Sequence, residues 1–282
     1  MQICNLQKAV IIKRPSKIIK SPYVADISIA DQEYLGHTPS LGCCGLADAG
    51  QSVLVVELAY KKTDKPHCKY RVCFAVYKER NVQLIIGIYP KLAEDLVEKA
   101  LQANLLSKLI NCKQYKRETK VFVLDKVDSR FDFSGIDAEE KNFYMEVKNV
   151  PLADYEDMFA KDRKKANFQG REFDSKVAYF PDGYRKKAKD TISPRALKHI
   201  QELTYLKQNT EARCLLCFVI QRNDVNRFTP SIIDPQYRQA VQEALNAGVE
   251  IITLVVEWND CGQAKFIKDD LPIVFENYST KL

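Results

Sequence analysis

Three residues of this chain combine type and spacing in a way that can do chemistry. Asp132 stands between Phe131 and Phe133 in SRFDF, and Glu146 and Lys148 stand two apart in FYMEVKNV. Both stretches alternate as β-strands do. The Phe131 and Phe133 rings are therefore expected on one face with the Asp132 carboxylate on the other, while Glu146 and Lys148 share a face turned away from Met145 and Val147. If the strands pair with Asp132 level with Glu146, two acids and one ammonium meet. Two carboxylates that close do not both ionise cheaply without a cation, and a hard divalent ion resolves the conflict. Asp132, Glu146 and the carbonyl of Val147 would ligate Mg²⁺ or Mn²⁺ and leave positions for water and phosphate. Lys148 would orient or activate that water, as in-line hydrolysis of a phosphodiester requires. The spacing by itself also fits a cross-strand ion pair on an exposed sheet face.

The elements that must hold these groups follow from hydrophobic period and turn chemistry. From Lys8 to about Ile88 the chain runs through short β-rich segments, KAVIIKR, PYVADISI, QSVLVVELAY, YRVCFAVYKE and VQLIIGIY, which predict a small barrel. Pro90 opens PKLAEDLVEKALQANLLSKLI, read as one long amphipathic helix. Strands at 119–125, 129–135 and 142–150 form a meander, with Asp137 to Lys141 as the turn between the last two. A charged, irregular stretch covers 154–190. A helix follows over 193–208 with Ser193 as N-cap and Pro194 at its first position. Then come the buried strand RCLLCFVIQ, a helix from Asp234-Pro235 to Gly248, and the strand VEIITLVVEW. The expected architecture is α/β (α+β): a small β-barrel over 1–85, then an α/β domain with a central mixed sheet over 86–282.

Six ordered motifs carry a resemblance. Ser129-Arg130-Phe131-Asp132-Phe133 is similar to S-R-[IV]-D-F, and Tyr144 to Val150 (YMEVKNV) to Y-[VL]-E-V-K-[SN]-V. Phe180-Pro181-Asp182 matches F-P-D, Arg195 with His199 matches R-G-x-x-H, Phe218 to Asp224 matches F-[VI]-[VI]-Q-R-x-D, and Ile233 to Tyr237 matches I-D-P-x-[YF]. These are motifs of the sugar fermentation stimulation (SfsA) family, which the chain resembles from about Ser21 to Trp258. The resemblance implies an OB-like barrel joined to a restriction-endonuclease-like domain of the PD-(D/E)xK type. It places Asp132, Glu146 and Lys148 at the nuclease-motif positions and Gln221 as a polar site residue. Glu98, in LVEKAL, becomes a helix-borne acid for the metal; the residue also suits a solvated helix face beside Lys99. Arg195 and His199, four apart on one helix face, are candidate phosphate contacts, with helix packing the other role open to His199. Where the family has H-x-P-N-T-G-R-M, this chain has His37 to Cys44 (HTPSLGCC), keeping the His, Pro and Gly. Residues 154–176 look like an insertion.

Charge points the same way. The chain has 282 residues and a formal charge of +6, and the segment 161–189 alone holds ten Lys and Arg against four Asp and Glu. Lys161, Arg163, Lys164, Lys165, Arg185, Lys186 and Lys187 there are candidate nucleic-acid contacts, and Phe168, Phe173, Tyr179, Phe180 and Tyr184 are candidate stacking faces; the same rings would equally pin a solvated loop to the core. DNA is preferred over RNA as the expected partner.

Other classes lack support. No apolar run approaches the roughly 20 residues that cross a bilayer, and the first residues carry no secretory signal, so an intracellular protein, cytoplasmic or nuclear, without a membrane partner is expected. Nine scattered cysteines read as reduced thiols, and Cys214 and Cys217 fall on opposite faces of one strand. No P-loop, dinucleotide-binding or G-x-S-x-G motif occurs. Two rivals to the nuclease stand: a non-catalytic DNA-binding regulator of sugar metabolism that keeps the fold, and an adaptor using the basic segment for protein contacts.

Overall fold

The computed structural model describes residues 1–38, 43, 45–59, 66–183 and 190–275. Its N-terminal strands are β1 (Leu6–Lys13), β2 (Val24–Ile29), β3 (Gln32–His37), β4 (Ser52–Glu57), β5 (Tyr70–Glu79) and β6 (Val82–Gly87). β1 pairs antiparallel with β2 and β4, β2 with β3, and β4 with β5, and a parallel pairing of β3 with β5 closes the circuit. The expected small barrel is therefore a closed five-strand ring around Ile11, Ile27, Val53, Val55 and Val72. Sequence reading missed β3, whose exposed polar residues and Gly36 resemble a turn. Ala30 and Asp31, at φ 46° and 63°, make the tight hairpin into it. A Cβ at Gly36 would lie 3.0 Å from the Ile27 side chain, so glycine lets the two strands pack closely there.

Helix α1 (Lys91–Gln102) is shorter than its periodicity suggested. Asn104, at φ 53°, turns the chain back, and Leu106 and Leu109 re-enter the same core from a loop and a 3₁₀ turn. Then come β7 (Gln114–Val123), β8 (Val127–Ile136), β9 (Asn142–Val150), β10 (Ala153–Asp154), the single turn α2 (Ala160–Arg163) and β11 (Lys176–Phe180). They are followed by α3 (Pro194–Asn209), β12 (Arg213–Ile220), β13 (Val225–Pro230), α4 (Pro235–Asn246), β14 (Glu250–Trp258) and β15 (Ala264–Lys268). β11 lies inside the stretch expected to be irregular, and β13 and β15 carry too many polar residues to stand out by period.

The central sheet runs β6-β14-β12-β9-β8-β7 and is continuous with the barrel through β6. Its β9-β12-β14 middle is parallel and buried on both faces. Cys217 and Val219 face α1, whereas Cys214, Leu216 and Phe218 face α3 and α4. Cys214 and Cys217 are thus packed on opposite faces, and the eight described cysteines are all free. β10, β11 and β13 form a second, three-stranded sheet.

One expectation is corrected. Phe131 and Phe133 do not share a face: Phe133 packs under α1 and Phe131 under α3. The β7–β8 ladder pairs Arg117 with Phe133 and Thr119 with Phe131, and omits Glu118 and Asp132. Glu118 has φ 53°, so the strands kink there and the alternation shifts by one. The boundary expected at 85 falls within β6, where Ile85 pairs with Trp258 of β14. Leu54 and Phe74 of the barrel share a core with Leu254 and Trp258, and the Phe74 and Trp258 rings meet edge-on at 4.7 Å.

Candidate active site

The antiparallel β8–β9 ladder pairs Phe133 with Met145 and stops there, one step short of Asp132 and Glu146. In place of a main-chain carbonyl, the Asp132 carboxylate accepts the Val147 amide at 2.7 Å. The kink therefore swings the acid into the plane of the sheet, next to Glu146. Glu146 and Lys148 share a face as expected, and the Lys148 Nζ lies 2.5 Å from Glu146 Oε1. α3 brings His199 onto the same carboxylate, its Nδ1 donating to Oε1. Glu146 is 3% exposed, and its Oε2 is buried without a partner.

The charges are unbalanced in an informative way. Burial, and then the charge of Glu146, push the Asp132 pKa up to about 7. Burial also opposes ionisation of Glu146, but Lys148 and His199 outweigh it and bring its pKa below the ordinary value. Without a cation one of the two acids stays charged while ionisation of the other is suppressed. An orphaned carboxylate oxygen beside a suppressed second carboxylate is what a hard cation would relieve. Among the described residues no three acid, histidine or cysteine side chains form a ready-made cage. The donor set that fits is Asp132, the Oε2 of Glu146 and the Val147 carbonyl, with the remaining positions left to water or phosphate, an arrangement that suits Mg²⁺.

These groups line a cleft of about 520 Å³ with Tyr23 of the barrel, Glu94 of α1, Pro181 to Gly183, and Ser193 and Arg195 at the start of α3. The helix-borne acid in the cleft is thus Glu94, one turn before Glu98. Glu98 is held at 3.1 Å by Arg117, which also bonds Glu94 and Asp95. Arg195 is exposed at the cleft, whereas His199 is 4% exposed and committed to Glu146. Gln221 is buried away from the cleft: its Nε2 donates to Asn149 at 2.7 Å and its Oε1 accepts from the Trp258 indole at 2.7 Å. It joins β9, β12 and β14 through Asn149, which lines the cleft, and Trp258.

The basic segment is also more internal than its composition implied. Arg163 lies 2.7 Å from Asp154 and donates to the Tyr179 hydroxyl at 3.0 Å, and Arg171 lies 2.6 Å from Glu156. Phe168 packs on Tyr155 at 5.2 Å, Phe173 lies under the Lys176 ammonium at 3.8 Å, and Tyr179 is buried. Phe168, Phe173 and Tyr179 thus pin the segment to the protein, and Tyr184 lies outside the described residues. Lys176, 1% exposed, donates to Asp224 at 2.7 Å, and Arg222 grips the same carboxylate through two bonds of 2.6 Å. Lys161, Lys164 and Lys165 are exposed; Arg185, Lys186 and Lys187 lie outside the described residues.

No helix is long and apolar enough to cross a membrane among the described residues. A family model described as "Sugar fermentation stimulation protein RE domain" matches residues 91–161 and 169–262. Its gap, 162–168, is narrower than the expected insertion at 154–176. The chain is 30% identical over 272 residues to the sugar fermentation stimulation protein homolog of Trichodesmium erythraeum, covering 93% of this chain and 92% of that one. It is 29% identical over 249 residues to the homolog of Clostridium perfringens strain 13, covering 87% and 88%. The structure of Pyrococcus furiosus SfsA in complex with Ca²⁺ matches with a TM-score of 0.73 and 21% identity over 98% of both chains. Matched along most of its length in sequence and nearly all of it in fold, the chain belongs to the sugar fermentation stimulation protein (SfsA) family.

Proposed function

We propose that this protein is a divalent-cation-dependent phosphodiesterase acting on nucleic acid, DNA in preference to RNA. The observation that carries the reading is the buried, unpartnered Oε2 of Glu146 beside the in-plane carboxylate of Asp132. Asp132, Glu146 and the Val147 carbonyl would hold Mg²⁺ or Mn²⁺, which when bound supplies charge for the phosphate oxygens and lowers the pKa of water. The solved relative from Pyrococcus furiosus is in complex with Ca²⁺, a cation of the same oxygen-seeking class, which supports that choice. Lys148 reaches the same point from β9 and orients the attacking water once Glu146 is engaged. Arg195, exposed at the first turn of α3, is placed to take a non-bridging phosphate oxygen together with the helix N-terminus.

The test is a cleavage panel over single- and double-stranded DNA and RNA with Mg²⁺ or Mn²⁺, with Lys148→Ala as control. Cleavage by the wild type and a loss of about 10²- to 10⁴-fold in the variant is expected. Salt-sensitive binding without cleavage by the wild type would select a non-catalytic nucleic-acid-binding protein instead.

A further inference from the structure

The cleft holding Asp132 and Glu146 has one wall from the barrel, and that wall is Tyr23. Its side chain is the exposed aromatic of the cleft: Tyr23 is 41% exposed, Tyr179 is 4% exposed, and Phe180 packs on Tyr237 at 5.3 Å and Phe218 at 5.9 Å. Tyr23 ends the connection between β1 and β2, and that connection is braced. Asp26, 4% exposed, accepts the Ser16 hydroxyl at 2.5 Å and the Lys17 amide at 2.9 Å. Arg14 Nε and the Thr38 hydroxyl both donate to the Pro22 carbonyl, at 2.9 and 3.4 Å. The loop so fixed carries exposed Lys17, Ile18 and Lys20 as well as Tyr23.

Glu146 and Lys148 at the floor of this cleft are recessed, with side chains 4% and 12% exposed. A duplex presents its phosphates on a stiff cylinder much wider than a 520 Å³ cleft. A single strand is thin and leaves each base free to stack. Resting on the phosphodiesterase reading above, we infer that the substrate is single-stranded nucleic acid, or an unpaired stretch of a duplex, which crosses the β1–β2 loop and stacks a base on Tyr23 as its phosphate enters the cleft. A basic loop with one exposed ring suits sequence-tolerant single-strand binding, and barrels of this topology use the β1–β2 loop for it.

Fluorescence anisotropy with labelled oligo-dT, oligo-U and a duplex of equal length, with Ca²⁺ in place of Mg²⁺, tests this. Single strands should bind at least about 10-fold tighter than the duplex, and oligo-dT against oligo-U tells DNA from RNA. Tyr23→Ala should weaken single-strand binding by roughly 5- to 150-fold, Tyr23→Phe should restore it, and duplex binding should not move. Equal affinity for duplex, a Tyr23→Ala variant that binds as wild type, or a Tyr23→Phe variant as weak as Tyr23→Ala would overturn the inference. Cleavage that depends on Lys148 with no effect of Tyr23 would overturn it while leaving the phosphodiesterase reading intact. Tyr23-dependent binding of single strands without cleavage would do the reverse.

Discussion

The Asp132 carboxylate occupies a main-chain hydrogen-bonding position, accepting the Val147 amide at 2.7 Å where the β8–β9 ladder ends. This ties the placement of one candidate ligand to the backbone whose next carbonyl is another. Asp132→Asn keeps the shape but removes the charge, and Lys148→Ala keeps both acids but removes the ammonium. Cleavage should fall by about 10²- to 10⁴-fold in Lys148→Ala with nucleic-acid binding retained, measured by single-turnover kinetics beside anisotropy. Asp132→Asn should also lose affinity for the cation, read by calorimetric titration of Ca²⁺.

His199 acts on the site through Glu146. It holds Oε1 from α3, so the carboxylate is oriented even when Lys148 turns to substrate. Groups that orient a ligand from behind are typically worth about 10- to 100-fold in metal affinity. His199→Leu should weaken Ca²⁺ binding by that range with little change in single-strand affinity at low divalent cation. Unchanged Ca²⁺ titration curves would show that Glu146 needs no such support.

The buried cluster of Lys176, Arg222 and Asp224, with the half-buried Glu79 3.1 Å from Lys176, predicts the acid limb of stability. Burial opposes ionisation of Asp224, yet Arg222 and Lys176 outweigh it and hold its pKa below the ordinary value. An acid depressed in the folded state contributes stability above its unfolded pKa, about 3.9, and that contribution disappears as pH falls through the folded value. Acid unfolding should therefore steepen below about pH 4. Asp224→Asn leaves the buried Arg222 facing a neutral partner while Lys176 keeps Glu79 at 3.1 Å, and should cost about 3–5 kcal/mol at neutral pH. Its stability should also vary less with pH in the acid range, as followed by chemical denaturation at several pH values.

Gly87 ends β6 where the barrel meets the central sheet. A Cβ there would lie 2.3 Å from Gln221 Oε1 and 3.2 Å from the Trp258 indole nitrogen. Gly87→Ala must displace the amide that bonds Asn149 and Trp258, and should cost about 1–3 kcal/mol. A lowered melting temperature is expected, partly recovered by Gln221→Ala in the same chain.

The pairing of Asp132 with Glu146 and Lys148 was readable from sequence because strand period and one antiparallel register suffice to bring them together. The barrel strands other than β3, together with α3, α4, β12 and β14, were readable from hydrophobic period and turn chemistry. The kink at Glu118 was not, since a positive φ at a glutamate leaves no compositional mark, and it reversed the face assigned to Phe131 or Phe133. Glu94 and Glu98 lie one helical turn apart on the same face of α1, so sequence alone did not say which reaches the cleft. Arg163, Arg171 and Lys176 raised the local charge count, but their partners Asp154, Glu156 and Asp224 lie outside the window in which that charge was counted. Charge density along the chain therefore overstated charge at the surface.

The Gln221 side chain, held between Asn149 and Trp258 and pressed against Gly87, also bears on how this architecture can change. Its amide bonds Asn149 of β9 and Trp258 of β14, and Phe74 of the barrel rests on the same indole. The two halves are therefore not interchangeable modules. A foreign barrel grafted at residue 85 would arrive without the phenylalanine that fits this junction, so descent within the family is expected to have altered both halves in concert rather than by exchange of either one.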